Sequence, residues 1–218
     1  MPELNLLENY PQAKRNLDER LEQKTEEIRQ VARQFGKDFF DGDRKYGYGG
    51  YRYHPRFWQP VVPAFQKHYG LTKNASVLDV GCAKGFMLYD FLQVIPGIKV
   101  AGVDISSYAI ENAVEAVKPS VQVGNAKDLP FPDKSFDLVI SINTIHNLPL
   151  EECKQALREI QRVTRRNAFI TVDAYRTGEE KKRMDAWNLT AKTYMSVKEW
   201  IALYKEAGYR GDYNWFIP

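Results

Sequence analysis

Val77-Leu78-Asp79-Val80-Gly81-Cys82-Ala83-Lys84-Gly85-Phe86 is the stretch that decides how the chain folds. Val77 to Val80 is a short apolar run carrying one carboxylate, the pattern of a strand covered on both faces. Gly81, Ala83 and Gly85 then lack bulk where the backbone must turn tightly, and Phe86 opens a stretch with helical patterning. A strand running through a small-residue turn into a helix leaves the first N–H groups of that helix facing whatever lies above the turn. In an open parallel sheet that position, beyond the carboxyl ends of the strands, is a ligand seat.

Outward from this turn the same alternation repeats. Lys99–Val103, Val121–Val123, Phe136–Ser141 and Ala168–Val172 read as further buried strands, and Phe86–Val94, Tyr108–Val117 and Glu151–Val163 as the helices between them. A last helix near Val197 to Ala207 precedes a strand near Tyr209 to Ile217, where Tyr213, Trp215 and Ile217 alternate. The expectation is an α/β domain with a doubly wound, mostly parallel sheet of six or seven strands and right-handed crossovers. Upstream, Leu17, Leu21, Ile28, Val31 and Phe35 recur at helical spacing between Asn9 and Phe35, and a further helix is expected over Arg56 to Tyr69. Between them Tyr46 to Tyr53 holds four tyrosines and three glycines in eight residues, a loop rather than a core element. Residues 1–70 therefore read as a helical arm and tyrosine-rich lid packed on a core of residues 71–218, one domain overall. The chain stops after what reads as its sixth strand, so the sheet edge is expected to be open or covered by the N-terminal region.

Composition narrows the function. A chain of 218 residues with 44% hydrophobic content fills one core. With 31 basic and 28 acidic residues it lacks the basic excess of a nucleic-acid binder, and Arg165-Arg166 and Lys181-Lys182-Arg183 read as solvated turns. Two cysteines, Cys82 and Cys153, in different elements argue for free thiols and a reducing compartment. Met1 to Tyr10 lacks a signal-peptide pattern, and no run approaches the roughly 20 apolar residues of a membrane span. The expected protein is cytoplasmic, acts on a small molecule, engages neither nucleic acid nor membrane, and shows nothing that demands an oligomer.

A second carboxylate, Asp104, closes the next strand, where an acid can accept both hydroxyls of a ribose. Small residues spaced G-x-A-x-G, rather than G-x-G-x-x-G, weigh against a dinucleotide and hence against a nicotinamide-dependent oxidoreductase. Three ordered motifs remain: Val77-Leu-Asp-Val-Gly-Cys-Ala-Lys-Gly85, Gly102-Val-Asp-Ile-Ser106, and Gly124-Asn-Ala-Lys-Asp-Leu-Pro-Phe131 running on to Ser135-Phe-Asp137. Together the chain resembles the class I S-adenosylmethionine-dependent methyltransferases with a Rossmann-like core, above all their small-molecule group, over roughly Ser76 to Val172. The resemblance implies S-adenosylmethionine as cofactor and no metal. It implies that Asp79, Gly81, Ala83 and Gly85 surround the methionine part, that Asp104 takes the ribose and Ile105 the adenine face, and that Asn125 and Ala126 read the adenine edge, with Ser141 beside them. Ala83 stands for the family's middle glycine and suits the turn if its φ is negative. Asn125 stands for the usual aspartate, and its amide oxygen can still accept from an exocyclic amine.

Methyl transfer asks mainly for positioning and for removal of a proton when the acceptor is an alcohol. His146, after the fourth strand, is the candidate general base, because an imidazole near its ordinary pKa takes a proton at neutral pH. Tyr48, Tyr51, Tyr53, Asn143, Asp173 and Tyr175 are the candidate acceptor residues, the tyrosines as a lid and the rest by topology. This strand end lacks the Asp/Asn-Pro-Pro-aromatic signature of nucleic-acid amino methylation. The leading expectation is methyl transfer to a small polar metabolite such as a sugar hydroxyl. The alternatives are a non-catalytic cofactor-binding partner protein and the oxidoreductase.

Overall fold

β1 (Ser76–Val80), the strand read from the opening motif, lies in the middle of the sheet. The computed structural model describes residues 2–11 and 24–218. Around β1 stand β2 (Lys99–Asp104), β3 (Val121–Val123), β4 (Phe136–Ile142), β5 (Thr164–Tyr175), the two-residue β6 (Met195–Ser196) and β7 (Asp212–Phe216). The strand order is β3-β2-β1-β4-β5-β6, with β7 also paired to β5, and each of these pairings is parallel. Chain order reverses between β1 and β4. The carboxyl end of β1 is thus the switch point at which such sheets open a crevice.

The edge beyond β7 is covered by the N-terminal segment, one of the two outcomes the sequence leaves open. The Leu4 amide donates to the Tyr213 carbonyl at 2.8 Å, and the Tyr213 amide donates to the Pro2 carbonyl at 3.2 Å. Pairing of this kind removes an exposed row of backbone donors and acceptors.

Two layers of helix bury the two faces. On one face α3 (Val62–Tyr69) and α4 (Phe86–Val94) pack Val62, Phe65 and Phe91 against Val77, Leu138, Ile140 and Phe169. On the other, α6 (Leu150–Val163) and α8 (Val197–Ala207) cover Leu78, Val139 and Ile170. α6 does so with Cys153, Ala156, Leu157, Ile160 and Val163, a stripe at three-to-four spacing. Four further α-helices complete the set among the described residues: α1 (Glu26–Ala32), α2 (Lys37–Asp41), α5 (Ser107–Glu111) and α7 (Gly178–Trp187).

Several boundaries depart from the sequence reading, each for a physical reason. Helix α3 starts at Val62, not Arg56, because Pro63 lacks an N–H and occupies the first helical turn, so the upstream residues form separate turns. The helix expected over Tyr108–Val117 stops at Glu111, since the Val114 amide leaves the helical ladder and donates to the Lys84 carbonyl at 3.1 Å. Between Asn9 and Phe35 only Glu26–Ala32 is helical among the described residues, while Leu17 and Leu21 lie outside them. Helix α7 was not anticipated, although Thr177 and Glu180 form a complete capping box at its start, a signal legible as T-x-x-E.

Trp200 is the largest fully buried side chain, and its indole N–H donates to the Asp173 carbonyl at 3.0 Å, joining α8 to the functional end of β5. Replacing it with alanine is expected to destabilise the fold by about 3–5 kcal/mol, the range for a buried aromatic truncation. Urea unfolding of Trp200→Ala measures this directly, and a loss of less than about 1 kcal/mol would place the residue outside the cooperative core.

Candidate functional site

The turn after β1 is pinned from below. The Gly81 amide donates to the Val103 carbonyl at 2.7 Å, and the Cys82 amide shares that acceptor at 3.2 Å, tying the turn to β2. Gly81 has φ +91°, and a Cβ there would stand 2.0 Å from Thr144 Oγ1, so only glycine fits. Gly85 ends the turn at φ +74° and a Cβ on it would meet Val117 at 2.6 Å. Between them Ala83 has φ +49°. The sequence reading allowed alanine on condition of a negative φ; the conformation is instead left-handed, which strains any residue with a Cβ. What holds it is one bond, the Ala83 amide donating to Asp104 Oδ2 at 2.8 Å.

Two acids face each other across this turn. Asp104, at the end of β2, also accepts the Ser106 amide on Oδ1 at 2.8 Å; burial raises its pKa while these two amides hold it down. Each of its oxygens keeps a lone pair for a further donor. Asp79 is 6% exposed, and no hydrogen bond supports its carboxyl among the described residues. Burial, reinforced by the nearby charge of Asp104, pushes its pKa up to about 8. A buried acid without a donor is stabilised as a carboxylate by any cationic group that reaches it.

The adenine-side candidates lie at the carboxyl ends of β2, β3 and β4. Ile105 is 55% exposed, an apolar face open to a ring, while Ala126 packs against the core at the base of its loop. Asn125 Oδ1 accepts from the Lys127 amide at 3.1 Å within its own loop, so one lone pair of the amide oxygen is already used. Ser141 is fully buried and donates to the Val80 carbonyl at 3.1 Å, lacing β4 to the end of β1.

His146 is not positioned as a base. It lies in a buried 3-10 turn, Ile145–Asn147, and its Nδ1 accepts the Asp173 amide at 2.9 Å, in place of a β4 carbonyl that would have continued the ladder. The imidazole lone pair is therefore spent on the backbone, and the neutral ring carries its proton on Nε2. Burial lowers its pKa and outweighs the opposing pull of Asp173. The sequence reading of a general base is corrected to a histidine that holds the end of β5.

Asp173 itself is 6% exposed, with Oδ1 3.5 Å from His146 Nδ1 and no hydrogen bond to its carboxyl among the described residues; burial raises its pKa, against the lowering influence of the nearby His146 and Lys24. Two residues back on the same face, Thr171 Oγ1 is buried without a partner. The hydroxyl is legible in the sequence, but its lack of a partner is not. Asn143 is exposed, in the left-handed region at φ +54°, with its amide donating to the Thr171 carbonyl at 2.9 Å. Tyr175 lies at the end of β5 with Lys181 5.9 Å above its ring.

The tyrosines pack on α4, the helix that follows the turn. Tyr51 stacks on Phe86 with centroids 4.7 Å apart, and Tyr48 lies against Tyr51 at 4.3 Å. Tyr53 donates to Asp90 Oδ1 at 2.7 Å on the flank of α4. Burial raises the Tyr51 pKa well above its ordinary value, with Tyr48, Tyr10, Asp79 and Asp104 adding to it, so its ring belongs to the electrostatic neighbourhood of the acid pair. The sequence reading missed what fastens them. Lys84, 7% exposed, donates to Asp41 Oδ2 at 2.6 Å and to the Tyr51 carbonyl at 2.9 Å.

Comparison with known proteins places this geometry. A methyltransferase domain model matches residues 78–172. The chain is 33% identical over 139 residues to a demethylmenaquinone methyltransferase of Symbiobacterium thermophilum, covering 58% of this chain and 53% of that one. It is 28% identical over 144 residues to a tRNA (carboxymethyluridine(34)-5-O)-methyltransferase of Arabidopsis thaliana, covering 65% of this chain and 33% of the relative. Among solved structures the YcgJ protein of Bacillus subtilis superposes with a TM-score of 0.55 at 22% identity, over 67% of this chain and 66% of that one, a likeness of fold. The chain spans about half the length of the curated relatives it matches. No helix among the described residues is long and apolar enough to cross a membrane.

Two substitutions test this description of the turn. Ala83→Gly is expected to stabilise the protein by about 0.5–1 kcal/mol, because relief of the left-handed strain exceeds the entropy that glycine adds to the unfolded chain. Denaturant unfolding decides it; a destabilisation would refute the strain. Asp79 ionises near pH 4 when unfolded and near 8 when folded, so the native state binds the extra proton between them and stability falls as pH rises across that window. Asp79→Asn should flatten the slope, leaving the ligand-free variant more stable than the parent at pH 8, and equal slopes for the two proteins would contradict it.

Proposed function

We propose that the chain, whose residues 78–172 match a methyltransferase domain model, is a class I S-adenosylmethionine-dependent methyltransferase that transfers a methyl group to an oxygen of a small polar metabolite, a sugar hydroxyl or sugar-containing intermediate. The observation that carries the reading is the pair of buried acids, Asp79 and Asp104, flanking a turn that admits no side chain at Gly81. They fit the cofactor. Its ammonium answers the carboxyl of Asp79 that no described group supports, and its ribose hydroxyls answer the two remaining lone pairs of Asp104. The exposed Ile105 offers an apolar face to the adenine, with Asn125 and Ala126 at the ring edge.

When bound, S-adenosylmethionine supplies an electrophilic methyl on a positively charged sulfur. The residues of the chain orient the acceptor, keep water away and receive its proton. Asp173 and Thr171 stand two strands from β1, about 10 Å across the sheet, on the face that also carries Asp79. A buried carboxyl and a buried hydroxyl, both without hydrogen bonds among the described residues, support an acceptor rich in hydroxyl donors. With the His146 lone pair engaged, Asp173 is the group on that side able to take the proton of an acceptor hydroxyl, because its raised pKa makes it a better base than an ordinary carboxylate. Tyr48, Tyr51 and Asn143 line the approach.

Thermal-shift measurements with S-adenosylmethionine, its demethylated product and NAD test the premise, since a ligand of the native state alone raises the melting temperature by mass action. Both sulfur compounds should stabilise the protein and NAD should not; stabilisation by NAD alone would overturn the assignment. Calorimetric affinity for S-adenosylmethionine is also expected to rise about tenfold per pH unit from about pH 6 to 8, because binding the ammonium requires the Asp79 proton to leave. An affinity independent of pH over that range would remove Asp79 from the ammonium site.

A further inference from the structure

One carboxylate clasps the N-terminal arm to both loops of the cofactor seat and to the arm's own tyrosine loop. The Asp41 carboxylate, at the end of α2, accepts from Lys84 Nζ at 2.6 Å, from the Tyr108 hydroxyl at 2.7 Å and from the Tyr51 amide at 2.8 Å. Lys84 belongs to the turn after β1, and Tyr108 to α5, which follows the ribose acid Asp104. Lys84 also holds the Tyr51 carbonyl, so both polar groups of the Tyr51 backbone are fixed to this one ion pair. A few residues earlier, the Ser106 hydroxyl donates to the Phe35 carbonyl at 2.5 Å.

The geometry points to a latch: Asp41 and Lys84 are positioning residues that hold Tyr51 over the seat, so that cofactor enters and product leaves only when their ion pair opens. This rests on the functional reading above. Lys84 occupies the second x of the G-x-A-x-G turn, and its buried side chain ends on the Asp41 carboxylate of the arm. The aromatic side chains follow the same path, Tyr51 onto Phe86 and Phe40 onto Tyr51 and Tyr108. Gly49 and Gly50, at φ +67° and +109°, give the arm a joint next to Tyr51, and nothing lies within 4 Å of a Cβ at Gly50. Burial alone would raise the Asp41 pKa, but the bonds from Lys84, Tyr108 and the Tyr51 amide outweigh it and bring it to about 2. The charged group that faces it is Lys84.

The test reads dissociation of S-adenosylhomocysteine, the demethylated cofactor, from the full chain by stopped-flow displacement, with amide hydrogen exchange over residues 37–53. Lys84→Met and Asp41→Asn should each release it about 10- to 100-fold faster, the equivalent of one lost hydrogen bond to a charged group. The double variant should be no faster than the worse single one, since both remove the same pair. Lys84→Arg, which keeps the charge, should restore most of the residence time, and Tyr51 amide exchange should quicken in step with release. Should Lys84→Met fail to fold, Tyr108→Phe removes a single bond to Asp41 and is expected to act in the same direction, several-fold. Parental dissociation rates in well-folded Asp41→Asn and Lys84→Met refute the latch while leaving the methyltransferase reading intact. If the unaltered chain does not bind S-adenosylhomocysteine at all, both fall together.

Discussion

Everything at the functional end of this molecule hangs on how the turn after β1 is held. A run of backbone from Gly81 to Gly85 passes three times through left-handed conformations, at φ +91°, +49° and +74°, and only two of those positions are glycine. Such a path survives because its surroundings over-determine it: β2 accepts the Gly81 and Cys82 amides, and the carboxylate that ends β2 accepts the Ala83 amide. Asp104 thus performs two tasks with one group. It shapes the turn, and it presents the remaining capacity of its oxygens to whatever the turn receives.

Placing two acids beside that turn is unfavourable for the protein by itself. Asp79 keeps its proton to about pH 8 in the folded chain, which is a stability the ligand-free fold forgoes. Strained backbone and unsupported charge concentrated in one place are the signature of a site selected for binding rather than for packing. The opposite end of the sheet shows the contrast. There Asp137 sits below the ordinary range at about 2, because a bond from Arg165 and others from Ser76 outweigh its burial.

His146 shows how a residue type misleads when its partner is a backbone group. An imidazole at the end of the fourth strand reads as chemistry, yet its Nδ1 serves as the last rung of the β4–β5 ladder. Nothing in the order of residues shows that the Asp173 amide would have lost its carbonyl partner. The ring is thereby engaged with the backbone of the same residue whose carboxyl stands beside it.

The local facts were written in the sequence itself. The strand-turn-helix of residues 77–94, the stripe of α6, the acid closing β2 and the parallel alternation all follow from short-range periodicity and from residues, such as Gly81, that have no substitute at their φ. Tertiary structure decided the rest, because it depends on contacts between distant segments. The early end of α5 comes from Lys84, 30 positions away from Val114, and the Asp41–Lys84 ion pair spans 43 positions. The loneliness of Thr171 Oγ1 is a property of its surroundings alone. Periodicity reports which face a residue occupies; only the assembled sheet determines which polar atoms on that face are left without a partner.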